Sequence, residues 1–463
     1  MLFHSWDFAV FFALVMALYW RLGHRAQNLL LVAASYVFYG WWRWDLLWLM
    51  LLSSLIDFLC ALRIEKGGPG KKLWLLTSVL SNMGLLGYFK YWNFFTDEFN
   101  ALLRHLGLGD VFGGVEIILP VGISFYTFQT LSYTIDVYRG SVQPCRKLTD
   151  FLLYVSFFPQ LVAGPIERST TLLPQVEGPR RLDPVRLRDG AFLVFWGLFR
   201  KLVLADNLGI LVGTIFDPGG MDHVSGTLML LGCYAFTLQI YCDFSAYSDI
   251  ARGTAWALGF NLMENFRAPY GATSPRDFWR RWHISLSTWL RDYLYIPLGG
   301  NRGGVWASSR NLLLVMALGG LWHGASWPFV IWGLYHGLLL ALHRLMGSHL
   351  TLLTRVPRAI KVFITFHAVA LGFMVFRSDS VDRILRNLRL LAGEWRWADL
   401  ASTEGRWILF AALSLLAVRR RPDGNLNIQS WPLAARVILF VLAYFSMTLL
   451  HCPQPNDFIY FQF

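Results

Sequence analysis

An all-α, polytopic membrane fold is predicted by three features of the sequence. Apolar runs recur along its whole length, in a chain that is 55% hydrophobic with a mean hydropathy of +0.44. Only 15% of residues are charged, against about 25% in ordinary soluble chains. The Lys and Arg residues cluster in short loops between the apolar runs, as the positive-inside rule requires.

In chain order, the clearest apolar runs are Phe8–Trp20, Leu29–Trp42, Leu46–Leu62, Leu73–Phe89, Val224–Tyr241, Ala359–Phe376 and Val437–Leu450. Several fall short of the roughly 20 residues that a spanning helix needs, so flanking residues must extend them. The pattern predicts about ten to twelve membrane segments in a single membrane domain, residues 1–463. The first run has no basic region before it and no small-residue cleavage site after it, so it reads as a retained helix. The 21 Trp, 18 Tyr and 36 Phe suit long interfacial belts.

The basic loops set a topology. Arg21–Arg25, Arg63–Lys72, Arg139–Lys147, Arg168–Arg188 and Arg419–Arg421 are expected in the cytoplasm, with both termini outside. The segment Phe151–Glu167 then begins and ends on one side. It contains the helix breakers Pro159, Gly164 and Pro165 and reads as re-entrant. Arg200 and Lys201 interrupt another apolar stretch, where they either snorkel to an interface or face the protein interior.

The net charge of +12 fits anionic lipid and loop asymmetry, and its dispersal in short loops excludes a nucleic-acid surface. Cys60, Cys145, Cys233, Cys242 and Cys452 show no metal-type or redox spacing and read as buried thiols.

The chain turns polar between Tyr241 and Gly304. Within this stretch Arg276, Arg280, Arg281 and Arg291 alternate with Trp279, Trp282, Trp289 and Tyr293. Ser274 before Pro275 is a good N-cap, and Asp277 and Arg281 have the spacing of a helical ion pair. One helix is expected from about Pro275 to Tyr295, placing Arg276, Arg280 and Arg291 on a shared face. An interfacial amphipathic helix has the same composition. This one also carries His283, Ser285 and Ser287 and runs into a Gly-rich loop, Gly299–Gly304, of a kind able to present N–H groups to phosphate.

His323 lies inside an apolar run and is flanked by Gly319, Gly320 and Gly324. It suits a general base, since an unperturbed imidazole titrates near pH 6.5, and it equally suits a neutral histidine bridging two helices. His336 and His343 read as packing or interfacial residues. A metal site is rejected because there is no HExxH and no neighbouring carboxylate on these helices. A serine hydrolase is rejected because no GxSxG elbow is present.

Taken together, Leu119–Gly140, Phe157–Ser169, Gln239–Gly253, Asp277–Gly304, Leu321–Gly337 and Phe458–Phe463 resemble the membrane-bound O-acyltransferase superfamily, in its bacterial alginate O-acetylation branch. The resemblance implies a ring of membrane helices around a thinned centre, with a funnel leading to the active site. It implies transfer of an acetyl group from a cytoplasmic donor, acetyl-CoA, toward an extracytoplasmic polysaccharide in the bacterial inner membrane. It matches His323 to the family's characteristic histidine and His283 to its other recurring polar position. The basic residues Arg276, Arg280, Arg281 and Arg291 are then the expected donor-binding set, with no permanently bound cofactor and no metal. An extracytoplasmic SGNH-type partner is implied as well. Teichoic-acid D-alanylation, peptidoglycan or cellulose O-acetylation and a non-enzymatic polymer-export scaffold are the alternatives.

Overall fold

The computed structural model describes residues 1–113, 117–162, 164–217, 219, 223–348, 356–418, 430–452 and 458–459. These residues are helical or irregular, with no strand among them. Each apolar run named above is a helix. In order the helices are α1 (Trp6–Tyr19), α2 (His24–Gly40), α3 (Leu47–Glu65), α4 (Lys71–Leu86), α5 (Trp92–His105), α6 (Ile123–Tyr138), α7 (Leu148–Ser156), α8 (Phe158–Leu161), α9 (Ser169–Glu177), α10 (Pro184–Phe199), α11 (Asp206–Phe216), α12 (Gly226–Ala257), α13 (Pro275–Trp279), α14 (Ile284–Leu290), α15 (Gly304–His323) and α16 (Trp327–Leu345). Four more follow, Arg358–Arg377, Val381–Leu391, Thr403–Ala417 and Leu433–Leu449. Among the described residues, Trp44–Glu65, Gly226–Ala257 and Arg358–Arg377 are the helices long and apolar enough to cross a membrane by themselves. The basic run Arg419–Arg421 and residues Tyr460–Phe463 lie outside the described residues.

The chain divides into two compact units, residues 1–194 with 250–263, and residues 195–249 with 264–463. In the first, α3, α4 and α6 enclose a polar cluster. Asp57 is fully buried and accepts hydrogen bonds from Ser78 Oγ at 2.5 Å and from Asn82 Nδ2 at 2.8 and 3.0 Å. Ser53 donates to Asn82 Oδ1 at 2.9 Å. Polar groups buried among apolar helices must bond to one another, because no water replaces them there.

The expected re-entrant segment is broken backbone. The nine residues of α7 span only about 14 Å at 1.5 Å per residue, well short of a bilayer's roughly 30 Å of hydrocarbon. The chain turns at Phe157, forms the short α8 and runs extended into α9, apart from residue 163, which is not described. Glu167 anchors this run, accepting from the Met263 N–H at 2.6 Å and from Thr171 Oγ1 at 3.2 Å.

Among the described residues, wide π turns join α4 to α5 at Gly87–Tyr91 and α10 to α11 at Arg200–Ala205, and another ends α14 at Arg291–Tyr295. Each contains a basic residue: Lys90, Arg200 with Lys201, and Arg291. Such turns shift the register of the following helix and recur at functional sites.

In the second unit α15 and α16 form a close antiparallel hairpin. A Cβ on Gly320 would stand 2.1 Å from the Phe329 carbonyl oxygen, and one on Gly333 would stand 2.2 Å from that of Met316. At Gly324 the obstruction is the Phe329 ring, at 2.1 Å. The glycines around His323 therefore serve helix approach.

Candidate active site

The residue pattern predicts one helix over Pro275–Tyr295. The structure corrects this: the segment is α13, a turn at Arg280–His283, α14, and then the π turn Arg291–Tyr295. The N-terminal cap is as expected, with Ser274 Oγ accepting from the Asp277 N–H at 3.2 Å and Pro275 in the first turn. The expected ion pair also forms, Arg281 Nε to Asp277 Oδ1 at 2.8 Å. What breaks the helix is pairing with a neighbouring segment. Arg267 N–H donates to Arg281 O at 2.9 Å, Ile284 N–H to Asn265 O at 3.0 Å, and Ser285 N–H to Asn265 Oδ1 at 3.3 Å. The Asn265 amide is itself held, donating to Ser248 Oγ at 3.2 Å.

This pairing places His283 in the left-handed region, at φ 42° and ψ 55°. Left-handed backbone is uncommon for a residue with a side chain, and strained positions of this kind collect at functional sites. The imidazole is fully buried. Its ring meets Phe244 edge-on at 4.7 Å and lies 6.3 Å, centroid to centroid, from His323. His323 ends α15 and is 5% exposed, in a cage of Trp322 at 5.0 Å, Trp332 at 5.1 Å and Phe376 at 5.4 Å. Two histidines forty residues apart in sequence are thus neighbours in a buried aromatic pocket. His336 lies beyond Trp332, packed among Trp332, Trp279 and Tyr335, which matches its expected packing role.

The same unit contains a cavity of about 700 Å³, within the usual range for sites that hold a whole small ligand. Its walls include Arg276, Trp279, Arg280, Ile284 and Arg291, so the interrupted helix still gathers these arginines, though not along one continuous face. Arg281 is turned to Asp277 and is not part of the lining. The hairpin also lines it, with Leu312, Val315 and Met316 from α15 and His343 and Arg344 from α16. Among the described residues no carboxylate lines the cavity. His343 and Arg344 were missed as site residues. Only the basic end of an otherwise apolar helix marks them in the sequence.

Arg200 and Lys201, left open between interface and interior, face the interior. Both are buried, at 3% and 4% exposure. Arg200 pairs with Asp249 and donates to Ser245 Oγ at 2.6 Å. Lys201 Nζ reaches Asp206 at 2.8 Å and Asp243 at 3.1 Å. Asp243 also accepts the Ile459 N–H at 2.7 Å, and the neighbouring Phe458 ring packs on Tyr247 at 4.6 Å. Among the described residues no group of three or more His, Cys, Asp and Glu is placed to hold a metal.

Residues 146–379 match MBOAT, the membrane-bound O-acyltransferase family. A probable alginate O-acetylase AlgI of Pseudomonas putida is 37% identical over 98% of this chain and 98% of its own length. The protein of the same name from Pseudomonas aeruginosa is 42% identical over 84% of this chain and 75% of its own length. A peptidoglycan O-acetyltransferase of Helicobacter pylori is 36% identical over 79% of this chain and 74% of its own length. The helical membrane fold, the matched region around the two histidines and these relatives agree: the chain belongs to the membrane-bound O-acyltransferase family and is an acyl-transferring membrane enzyme.

Proposed function

We propose that this enzyme is an O-acetyltransferase of the bacterial inner membrane that passes an acetyl group from cytoplasmic acetyl-CoA toward an extracytoplasmic polysaccharide. The observation that carries this reading is the adjacency of His283 and His323, buried 6.3 Å apart in the unit that also contains a cation-lined cavity. Ile284, next to His283, lines that cavity, and Met316 lines it two helical turns before His323, about 10 Å along the axis. Alginate and peptidoglycan are the polymers in the relatives' names, which supports a cell-surface polysaccharide as acceptor.

In this reading the donor's phosphates lie against Arg276 and Arg280, whose forked guanidinium groups suit phosphate; Arg291 adds charge from its ion pair with Asp292 at 2.7 Å, and Arg281 holds α13 in place through Asp277. The incoming hydroxyl belongs to the polymer or to an extracytoplasmic SGNH-type partner. His323 takes its proton as the oxygen bonds to the thioester carbonyl carbon. The C–S bond then breaks, and the proton passes to the departing thiolate. His283 orients the thioester or stabilises the charge that develops on its oxygen. General-base catalysis contributes about 10²–10⁴-fold, and positioning in the aromatic pocket supplies much of the rest.

The test has two arms. Purified protein should release free thiol from acetyl-CoA when acceptor is present. His323→Ala, at unchanged membrane abundance, should abolish both this release and polymer acetylation in cells. Normal acetylation by a well-expressed His323→Ala variant overturns the assignment.

A further inference from the structure

The cavity has a further lining arginine, on a different element, which the donor-binding set read from the sequence does not include. Arg344 stands at the end of α16 and lines the same cavity as Arg276 and Arg280. Its Nη1 donates to Asn301 Oδ1 at 2.6 Å. Tyr295 Oη donates to the same oxygen at 2.7 Å. One amide oxygen in the Gly-rich loop thus fixes a guanidinium and a phenol, and all three side chains line the cavity. Arg344 Nε is buried and has no hydrogen-bond partner among the described residues. A buried N–H left in this way costs stability, and an anion bound beside it removes that cost. In the same lining, neither Arg276 nor Arg280 is held by a hydrogen bond or ion pair among the described residues.

We infer that Arg344 is a specificity-determining residue of the donor site, held ready by Asn301, and that it reads a phosphate on the nucleotide end of the thioester donor. The inference rests on the donor reading given above and goes further by assigning a residue and a ligand moiety. A donor whose pantetheine arm is tethered to a carrier protein brings a single phosphodiester into such a cavity. Free coenzyme A brings a diphosphate and a ribose phosphate, which call for cations on more than one wall. Arg276 and Arg280 come from the polar segment and Arg344 from the hairpin that carries His323, so a polyphosphate ligand bridges the two elements. The bland reading is that Arg344 only ties α16 to the Gly-rich loop through Asn301.

Ligand selectivity separates the two readings. Full-length protein in neutral-lipid nanodiscs is titrated calorimetrically with coenzyme A, 3′-dephospho-coenzyme A and pantetheine. Arg344→Ala is expected to weaken coenzyme A by about tenfold or more, the effect of one lost charge-assisted hydrogen bond, while leaving pantetheine unchanged. Arg344→Lys keeps the charge without the fork and should recover part of that loss. Asn301→Ala should fall between Arg344→Ala and the unaltered chain, and it tests the assignment independently if Arg344→Ala does not fold. An equal loss for coenzyme A and pantetheine, or no loss for either, overturns the assignment of Arg344. Failure of the unaltered chain to bind coenzyme A overturns the donor reading itself.

Discussion

Arg200 and Lys201 lie in the same unit as Arg276, Arg280 and Arg344, yet the two sets are handled in opposite ways. The first two are buried and answered by Asp206, Asp243 and Asp249. The other three border an open volume that no carboxylate lines among the described residues. An ion taken out of water costs several kcal/mol unless it is paired, so Arg200 and Lys201 can be buried only because α12 and α11 bring their counter-charges. Arg276 and Arg280 need no such partner, since both are exposed to water. Their uncompensated charge is what draws in an anion. Charge that is balanced within the fold holds structure; charge left unbalanced at a cavity is available for a ligand.

The largest effect expected from this contrast is at the balanced set. Asp249→Ala leaves the buried guanidinium of Arg200 without its carboxylate and should cost about 3–5 kcal/mol, lowering the thermal midpoint in detergent and the amount of protein in the membrane. The paired replacement Arg200→Met with Asp249→Leu removes both charges and should restore most of that stability. If the single variant is as stable as the unaltered chain, the buried pair does not hold the fold and the contrast breaks.

A smaller effect is expected at the hairpin that joins the cavity to His323. Gly333→Ala places a methyl group 2.2 Å from the Met316 carbonyl oxygen, so α15 and α16 must separate. Overpacking of this type costs about 1–3 kcal/mol. Because Met316 lines the cavity and His323 ends the same helix, acyl transfer should fall by more than stability does. A variant with unchanged turnover shows that the hairpin tolerates separation and that its close packing is not what sets the histidine.

The elements differ in how legible they were in sequence. Helices built on apolar runs, the Ser274 cap and the Asp277–Arg281 pair were readable because each depends on residues within a few positions of one another. The turn at His283 was not, because it depends on Asn265, a residue outside the helical pattern whose backbone outcompetes the helix. The interior placement of Arg200 was undecidable for a like reason: Ser245 and Asp249 lie 45 and 49 positions away. The π turns left no periodic signal. Arg344 was hidden because its partner Asn301 is 43 positions away, and the loop was read for its backbone N–H groups, not for its side chains. The two candidate catalytic histidines were readable as unusual residues, but their adjacency is a product of the fold.

The smallest structural effect, and the sharpest separation of the two sets, is expected at Arg280. Its exposed side chain makes no hydrogen bond or ion pair among the described residues, so Arg280→Ala should leave the thermal midpoint nearly unchanged, within the range of about 0.5 kcal/mol seen for surface substitutions. Donor affinity should fall instead, by about tenfold, or ~1.4 kcal/mol. Salt extends the same comparison without a mutation. Raising ionic strength from about 0.1 M to 1 M shortens the Debye length from ~10 Å to ~3 Å, which screens charges that water reaches and barely touches buried pairs. Binding of coenzyme A to the unaltered chain should therefore weaken steeply across that range while the thermal midpoint stays nearly level. In Arg280→Ala the salt slope should be shallower, since one fewer cation contributes. If the thermal midpoint falls with salt as steeply as the affinity does, the buried set is reached by solvent ions, and the distinction between balanced and unbalanced charge fails. If affinity is independent of salt, the cavity's arginines do not meet the donor's phosphates.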